Sequence, residues 1–133
     1  MGDLEKKRPF QSYYEQRNNG GFKLKHDIKR KTINDIRCYN TWVAEIDRVK
    51  YKSKITQRDI DRKMVAERYI DVIIRAKQWV REEYREAIFE HYTQETTYQE
   101  LMDKYYLSES AMKYWSGIYV YAVAWLLGED VSG

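Results

Sequence analysis

Residues 22–116 contain neither glycine nor proline. Sheet proteins depend on those two residues to turn the chain, so a stretch this long without either one points to helices. Proline occurs only at Pro9, and the glycines stand at 2, 20, 21, 117, 128 and 133. The expected fold class is all-α. A chain of 133 residues has room for one domain with a modest core.

Several chemistries find no residues to carry them. The lone Cys38 cannot form an internal disulfide framework, and it suits a reducing compartment. The first ten residues, MGDLEKKRPF, place no apolar run behind their charges, so no secretory signal is expected. The longest weakly charged stretch, 114–128, falls short of the roughly 20 apolar residues that cross a bilayer, so no membrane partner is expected. Together these features suit a cytoplasmic protein. His26 and His91 stand at no metal-ligand spacing with each other or with Cys38, so neither a metal nor a cofactor is expected. No nucleophile has a base partner, and there is no glycine-rich phosphate loop. Glu82, Glu83 and Glu86 interleave with Arg81 and Arg85, the pattern of an ion-paired helix surface rather than of paired catalytic carboxylates. No enzymatic activity is expected.

Charge divides the chain unequally. Residues 93–133 hold two basic and six acidic residues, a net of −4, whereas residues 1–92 hold 22 basic and 15 acidic, a net of +7. Such asymmetry suggests an acidic partner surface for the first part, nucleic acid among the candidates. Residues 1–31 read as a basic flexible arm, broken at Asn18-Asn19-Gly20-Gly21 and carrying Lys29, Arg30 and Lys31 at its end. Its cations suit phosphate contact, with Phe10, Tyr13, Tyr14 and Phe22 interleaved among them. A docked or loose tail is the plainer reading.

Residues 32–92 read as a helical region. Thr32 with Asp35 has capping-box spacing, and Ile33, Ile36, Val43, Ile46 and Val49 follow at helical intervals, so a first helix is expected from Thr32 to about 51–53. Thr56 with Asp59 opens a second. Residues 57–91 carry no turn signal and are either one long helix or two joined by a bend near 76–79. Lys50, Lys52, Lys54, Arg58, Arg62 and Lys63 crowd the connection between the two helices. They are either a solvated corner or a second phosphate-contacting patch.

Residues 93–128 have the spelling of a helix-turn-helix, and 129–133 are a tail. Thr96 and Thr97 precede Gln99 and Glu100 at capping-box spacing, Leu107-Ser108 reads as a turn, Ser108 or Ser110 caps a last helix that runs to Leu127, and Gly128 ends it. Leu101, Leu107, Met112 and Trp115 would share a core. Ser110, Ala111, Lys113, Tyr114 and Gly117 would then face a DNA groove, with Thr96 and Thr97 near a phosphate. The last helix is apolar or aromatic almost all round. A helix of that kind is deeply buried or shared with a partner, and a chain this small favours sharing. Tyr119, Tyr121 and Trp125 are therefore expected at an interface, most simply in a homo-oligomer.

The blocks REAIFEHY at 85–92, TTYQELMDKYYLSESAMKYW at 96–115 and AWLLGE at 124–129 resemble the C-terminal part of the RinA- and ArpU-type late-transcription regulators of phages and prophages in Gram-positive bacteria. The resemblance covers roughly the last 50 residues, with the first 80 similar only in layout. It implies a helical N-terminal half followed by a C-terminal domain like region 4 of a sigma factor. It also implies that the Ser-led last helix recognises promoter DNA beside host RNA polymerase. Members of that family carry several Arg or Lys on the recognition helix, whereas here only Lys113 stands there, which leaves affinity to the basic N-terminal half.

The leading expectation is thus a phage-type late-gene activator that binds double-stranded promoter DNA through the helix-turn-helix and the basic half. The alternative is a protein-binding module that grips RNA polymerase or a host defence factor with Tyr114, Tyr119, Tyr121 and Trp125, since aromatic enrichment with charge depletion marks an interface core. A DNA-recognising packaging component is a third option. Such proteins place the helix-turn-helix before the oligomerisation helices, the reverse of the order here.

Overall fold

The computed structural model describes residues 24–131. The described residues are all helical, with no strand: α1 His26–Arg37, α2 Tyr39–Lys50, α3 Gln57–Arg75, a 3-10 turn Ala76–Trp79, α4 Glu82–Thr93, α5 Tyr98–Tyr105 and α6 Glu109–Leu126. The N-terminal cations and aromatics, Lys6 to Phe22, lie outside these residues.

Two helices begin where their caps are written. The Thr56 hydroxyl accepts the Asp59 amide and the Asp59 carboxylate accepts the Thr56 amide, closing a capping box on α3. Thr97 and Glu100 do the same for α5. The first helix departs from expectation. It starts at His26, and Thr32 is buried in its interior, where the hydroxyl donates to the Ile28 carbonyl at 2.7 Å. A threonine satisfied one turn back inside a helix has no need to cap one. Asp35, free of capping duty, takes the Lys31 ammonium at 2.8 Å. The expected arm-to-helix boundary at residue 31 therefore falls within α1, and Lys29, Arg30 and Lys31 are helical.

The expected single helix from Thr32 is two. The chain breaks at Cys38, whose amide bonds Asn34 and Asp35 carbonyls, and the Trp42 indole reaches back to the Asp35 carbonyl at 3.3 Å. Of the two readings for 57–91, the broken one holds. The 3-10 turn and extended backbone at Val80 (φ −96°, ψ 140°) separate α3 from α4. Val80 is buried there, and its carbonyl accepts the Arg85 guanidinium at 2.8 Å.

Helix α6 is the axis of the fold. α1, the end of α3, the 3-10 turn, α4 and α5 pack around it, so residues Ile118 to Ala124 are all buried. This overturns the expected interface at Tyr119 and Tyr121, each 1% exposed within the single chain. Five elements wrapping one helix bury its circumference over residues 118–124, which the length of the chain alone did not suggest. The Tyr119 hydroxyl donates to the Ile73 carbonyl at 2.8 Å, and burial pushes its pKa well up. Trp125 is half-buried, edge-on to Trp79. The start of the expected 129–133 tail is fastened, since Glu129 pairs with Lys31 at 2.8 Å and Asp130 with Lys25 at 3.4 Å, and residues 132–133 lie outside the described residues. By contrast, among the described residues α2 packs chiefly along α3, and its start meets the remainder, where Tyr39 meets Phe89 and Asn40 donates to the Thr93 carbonyl. The α2–α3 pair is a projecting hairpin.

Candidate nucleic-acid interface

The short helix α5, a turn at 106–108 and the long helix α6 follow one another in the chain. Helix α5 stops at Tyr106, which adopts the left-handed conformation (φ 58°, ψ 45°) and donates its amide to the Met102 carbonyl. That geometry reverses the chain sharply. Ser108, not Ser110, caps α6 by accepting the Ala111 amide. Leu101 and Met112 are fully buried where the two helices meet, and Leu107 and Trp115 pack against the same cluster.

Helix α4 braces both. The Tyr92 hydroxyl shares a short hydrogen bond with the Ser116 hydroxyl, which also accepts from Tyr98 at 3.1 Å. His91 stacks on Tyr98, and its Nδ1 lies 2.7 Å from the Thr96 carbonyl. Glu90 joins α4 to α5 most extensively, holding Lys104 at 2.9 Å, Tyr105 at 2.9 Å and Thr96 at 3.1 Å. The Lys104 ammonium, with the two hydroxyls, holds this carboxyl below the usual range. Nothing in the sequence marked Glu90 apart from other helix-surface acids, because its partners lie across a loop and a turn.

The residues expected to face a groove differ in exposure. Ser110 and Lys113 are exposed, and Ala111, Tyr114 and Gly117 are partly so. At 100° per residue, Ser110, Lys113, Tyr114 and Gly117 share one stripe. Gly117 is unusual there. It sits mid-helix without positive φ, and a Cβ added to it meets no atom from another element among the described residues within 4 Å. Neither backbone conformation nor packing among the described residues calls for a glycine at this position, although a mid-helix glycine is costly. What the missing side chain provides is room for a close approach from outside.

Electrostatics on this face are balanced by acid. Lys113 pairs with Glu109 at 2.9 Å, which raises its pKa, and Lys104 pairs with Glu90. Thr97 is exposed at the start of α5, but its amide and hydroxyl are both taken by Glu100, which they hold below the usual carboxylate range. Thr96 is turned toward Glu90. The expected phosphate seat at this helix start is therefore occupied by the protein's own carboxylate.

The structure does not bring the two sets of expected DNA contacts together. Lys31 lies at the far end of α6, bridging Asp35 and Glu129. Thirteen residues of helix separate Lys113 from Leu126, which is about 20 Å at the α-helical rise. Lys29 and Arg30, on the same helix as Lys31, are exposed. Among the described residues no three His, Cys, Asp or Glu side chains gather as a metal site would need, and no helix is long and apolar enough to cross a membrane. Comparison with known protein families, curated proteins and solved structures finds no match for this chain.

Proposed function

We propose that this chain is a DNA-binding transcriptional regulator of the phage late-gene type, not an enzyme. In this reading α4, α5 and α6 form a region 4-like helix-turn-helix. Helix α6 enters the major groove with Ser110, Ala111, Lys113, Tyr114 and Gly117 toward the bases, and host RNA polymerase is the neighbour on the promoter. The observation that carries the reading is Gly117, a glycine on the outward stripe of α6 for which the described residues supply no packing reason, just before the fully buried run 118–124. Lys113 can leave Glu109, an exposed partner that contributes little, and turn to a guanine edge or a phosphate. The sparse charge of α6 means that phosphate contacts must come from the basic half.

The protein-binding alternative loses two of its aromatic grips, since Tyr119 and Tyr121 are buried. The homo-oligomer argued from Tyr119, Tyr121 and Trp125 keeps only the half-buried Trp125 of the three. What still favours a protein partner is the paired charge on the α5–α6 face.

Selection from a random pool of DNA duplexes, at about 150 mM salt with competitor DNA, tests the reading. An enriched motif is expected, with Lys113→Ala weakening that motif by about 1–3 kcal/mol. Failure to enrich any sequence, with no duplex retained at low salt, would overturn it.

A further inference from the structure

The far end of the α2–α3 hairpin holds cations that the fold does not use. Its architecture is set by Asp59, which is 4% exposed. That carboxylate takes Arg48 at 2.9 Å, Lys52 at 2.6 Å and the Thr56 amide at 3.0 Å, tying the end of α2 to the start of α3. Glu45 adds Arg48 at 2.6 Å and Arg62 at 3.6 Å, and Lys63 faces Glu67. These pairs account for Arg48, Lys52, Arg62 and Lys63 as structural.

Lys50, Lys54 and Arg58 remain. All three are exposed, and none has a carboxylate within ion-pair distance among the described residues; Lys50 lies only over the Tyr51 ring, 5.4 Å from its centroid. They fall within one nine-residue stretch, 50–58, that contains no acid. Arg58 stands in the first turn of α3, where the helix macrodipole is positive and disfavours a cation. Tyr51 and Ile55 sit among them, 79% and 52% exposed. Fold stability explains neither the like-charge cluster nor the exposed apolar pair. The tip also projects. Arg58 is fifteen residues before Ile73, where α3 meets α6, which is about 22 Å along the helix.

We propose that this tip is a second contact site on duplex DNA, in which Lys50, Lys54 and Arg58 hold the phosphate backbone and Tyr51 and Ile55 lie against the sugars. The proposal rests on the DNA-binding reading above, and it supplies the phosphate charge that α6 lacks. It is sequence-independent, since phosphate contacts position a protein without reading bases. The buried Asp59 cluster keeps the loop in shape, so the three cations are presented without first being ordered.

The test compares wild type with the triple variant Lys50→Ala, Lys54→Ala, Arg58→Ala by fluorescence anisotropy on the selected duplex and on a scrambled one, across a salt series. A control triple, Lys63→Ala, Arg75→Ala, Arg81→Ala, removes the same charge from ion-paired surface positions. The slope of log affinity against log salt is expected to shrink by about 2–3 in the tip variant, at roughly 0.9 for each phosphate that is no longer neutralised. Both duplexes should weaken alike, and the control should keep the wild-type slope. Specific binding by wild type with an unchanged slope in the tip variant overturns this proposal and leaves the DNA-binding reading standing. An equal loss in the control overturns it as a net-charge effect. No duplex binding by wild type overturns both, and capture by phosphatidylserine vesicles in its place would assign the tip to an anionic membrane surface. If the triple variant melts below wild type, Arg58→Gln serves instead, with an expected slope change of about 1.

Discussion

Gly117→Ala is the substitution in which stability and function should move in opposite directions. Glycine in a helix interior is about 0.8–1.0 kcal/mol less favourable than alanine. Among the described residues the added methyl meets nothing from another element within 4 Å, and the backbone is helical without positive φ, so no strain from them offsets that gain. The variant should therefore be more stable by close to the full difference, which raises Tm by about 3–5 °C for a chain of this size. If α6 lies in a groove, the same methyl intrudes on a close contact. Overpacking a fitted contact costs about 1–3 kcal/mol, or about 5- to 150-fold in affinity. Urea denaturation and duplex titration on the same preparation read both quantities. A stabilised variant with wild-type affinity would refute the reasoning that Gly117 clears space for DNA. A destabilised variant would refute the claim that the fold has no use for the glycine.

Three further outcomes are expected. Tyr106→Gly should stabilise the fold by about 0.5–1 kcal/mol, because the left-handed backbone costs an L-residue about 1–2 kcal/mol and the entropy of glycine returns part of it; the side chain, 91% exposed, gives up no packing. A lower urea midpoint would contradict this. Ser116→Ala should destabilise more than Tyr92→Phe, about 1–3 against about 1 kcal/mol, because the first strands the buried Tyr92 hydroxyl while the second leaves Ser116 accepting from Tyr98; equal losses in parallel urea melts would count against the network. Asp59, held low first by Lys52 and the Thr56 amide, and Glu90, held low by Lys104, are ionised in the fold at acidities where the unfolded chain is already taking up protons. Their contribution is complete above about pH 5 and is lost as pH falls below about 4 toward their lowered values. Asp59→Asn should accordingly flatten the acid limb of the stability profile, and an unchanged limb would mean that the pairing is not maintained in solution.

Elements that announce themselves locally were legible in the sequence. Thr56 with Asp59, Thr97 with Glu100, Ser108 before α6 and Gly128 (φ 84°) after it act within one turn of helix, so spacing alone exposes them. Thr32 misled because its hydroxyl finds the Ile28 carbonyl inside a helix, the same bonding capacity that elsewhere makes a cap. The break at Cys38 is carried by ordinary residues and is held by the Trp42 indole from the following helix, so no breaker marks it. The outward stripe of α6 was readable from 3.6-residue periodicity, but the burial of Tyr119 and Tyr121 was not, since it depends on how many distant elements converge on one helix. Charge behaved likewise. The Lys113–Glu109 pair is one helical turn apart, whereas Lys31 with Glu129 and Lys104 with Glu90 meet only after folding. The face that looked merely poor in positive charge is therefore closer to neutralised.

The claim that α6 lies in a DNA groove is tested most directly by site-specific cross-linking. Cys38 is replaced by serine, and a photo-reactive probe is carried on a single cysteine at Ser110, at Tyr114 or, as a control, at exposed Arg75 on α3. The account predicts cross-links to bases of the selected duplex from Ser110 and Tyr114 and none from Arg75. Cross-links absent from both α6 positions, in a complex that still forms, would contradict it.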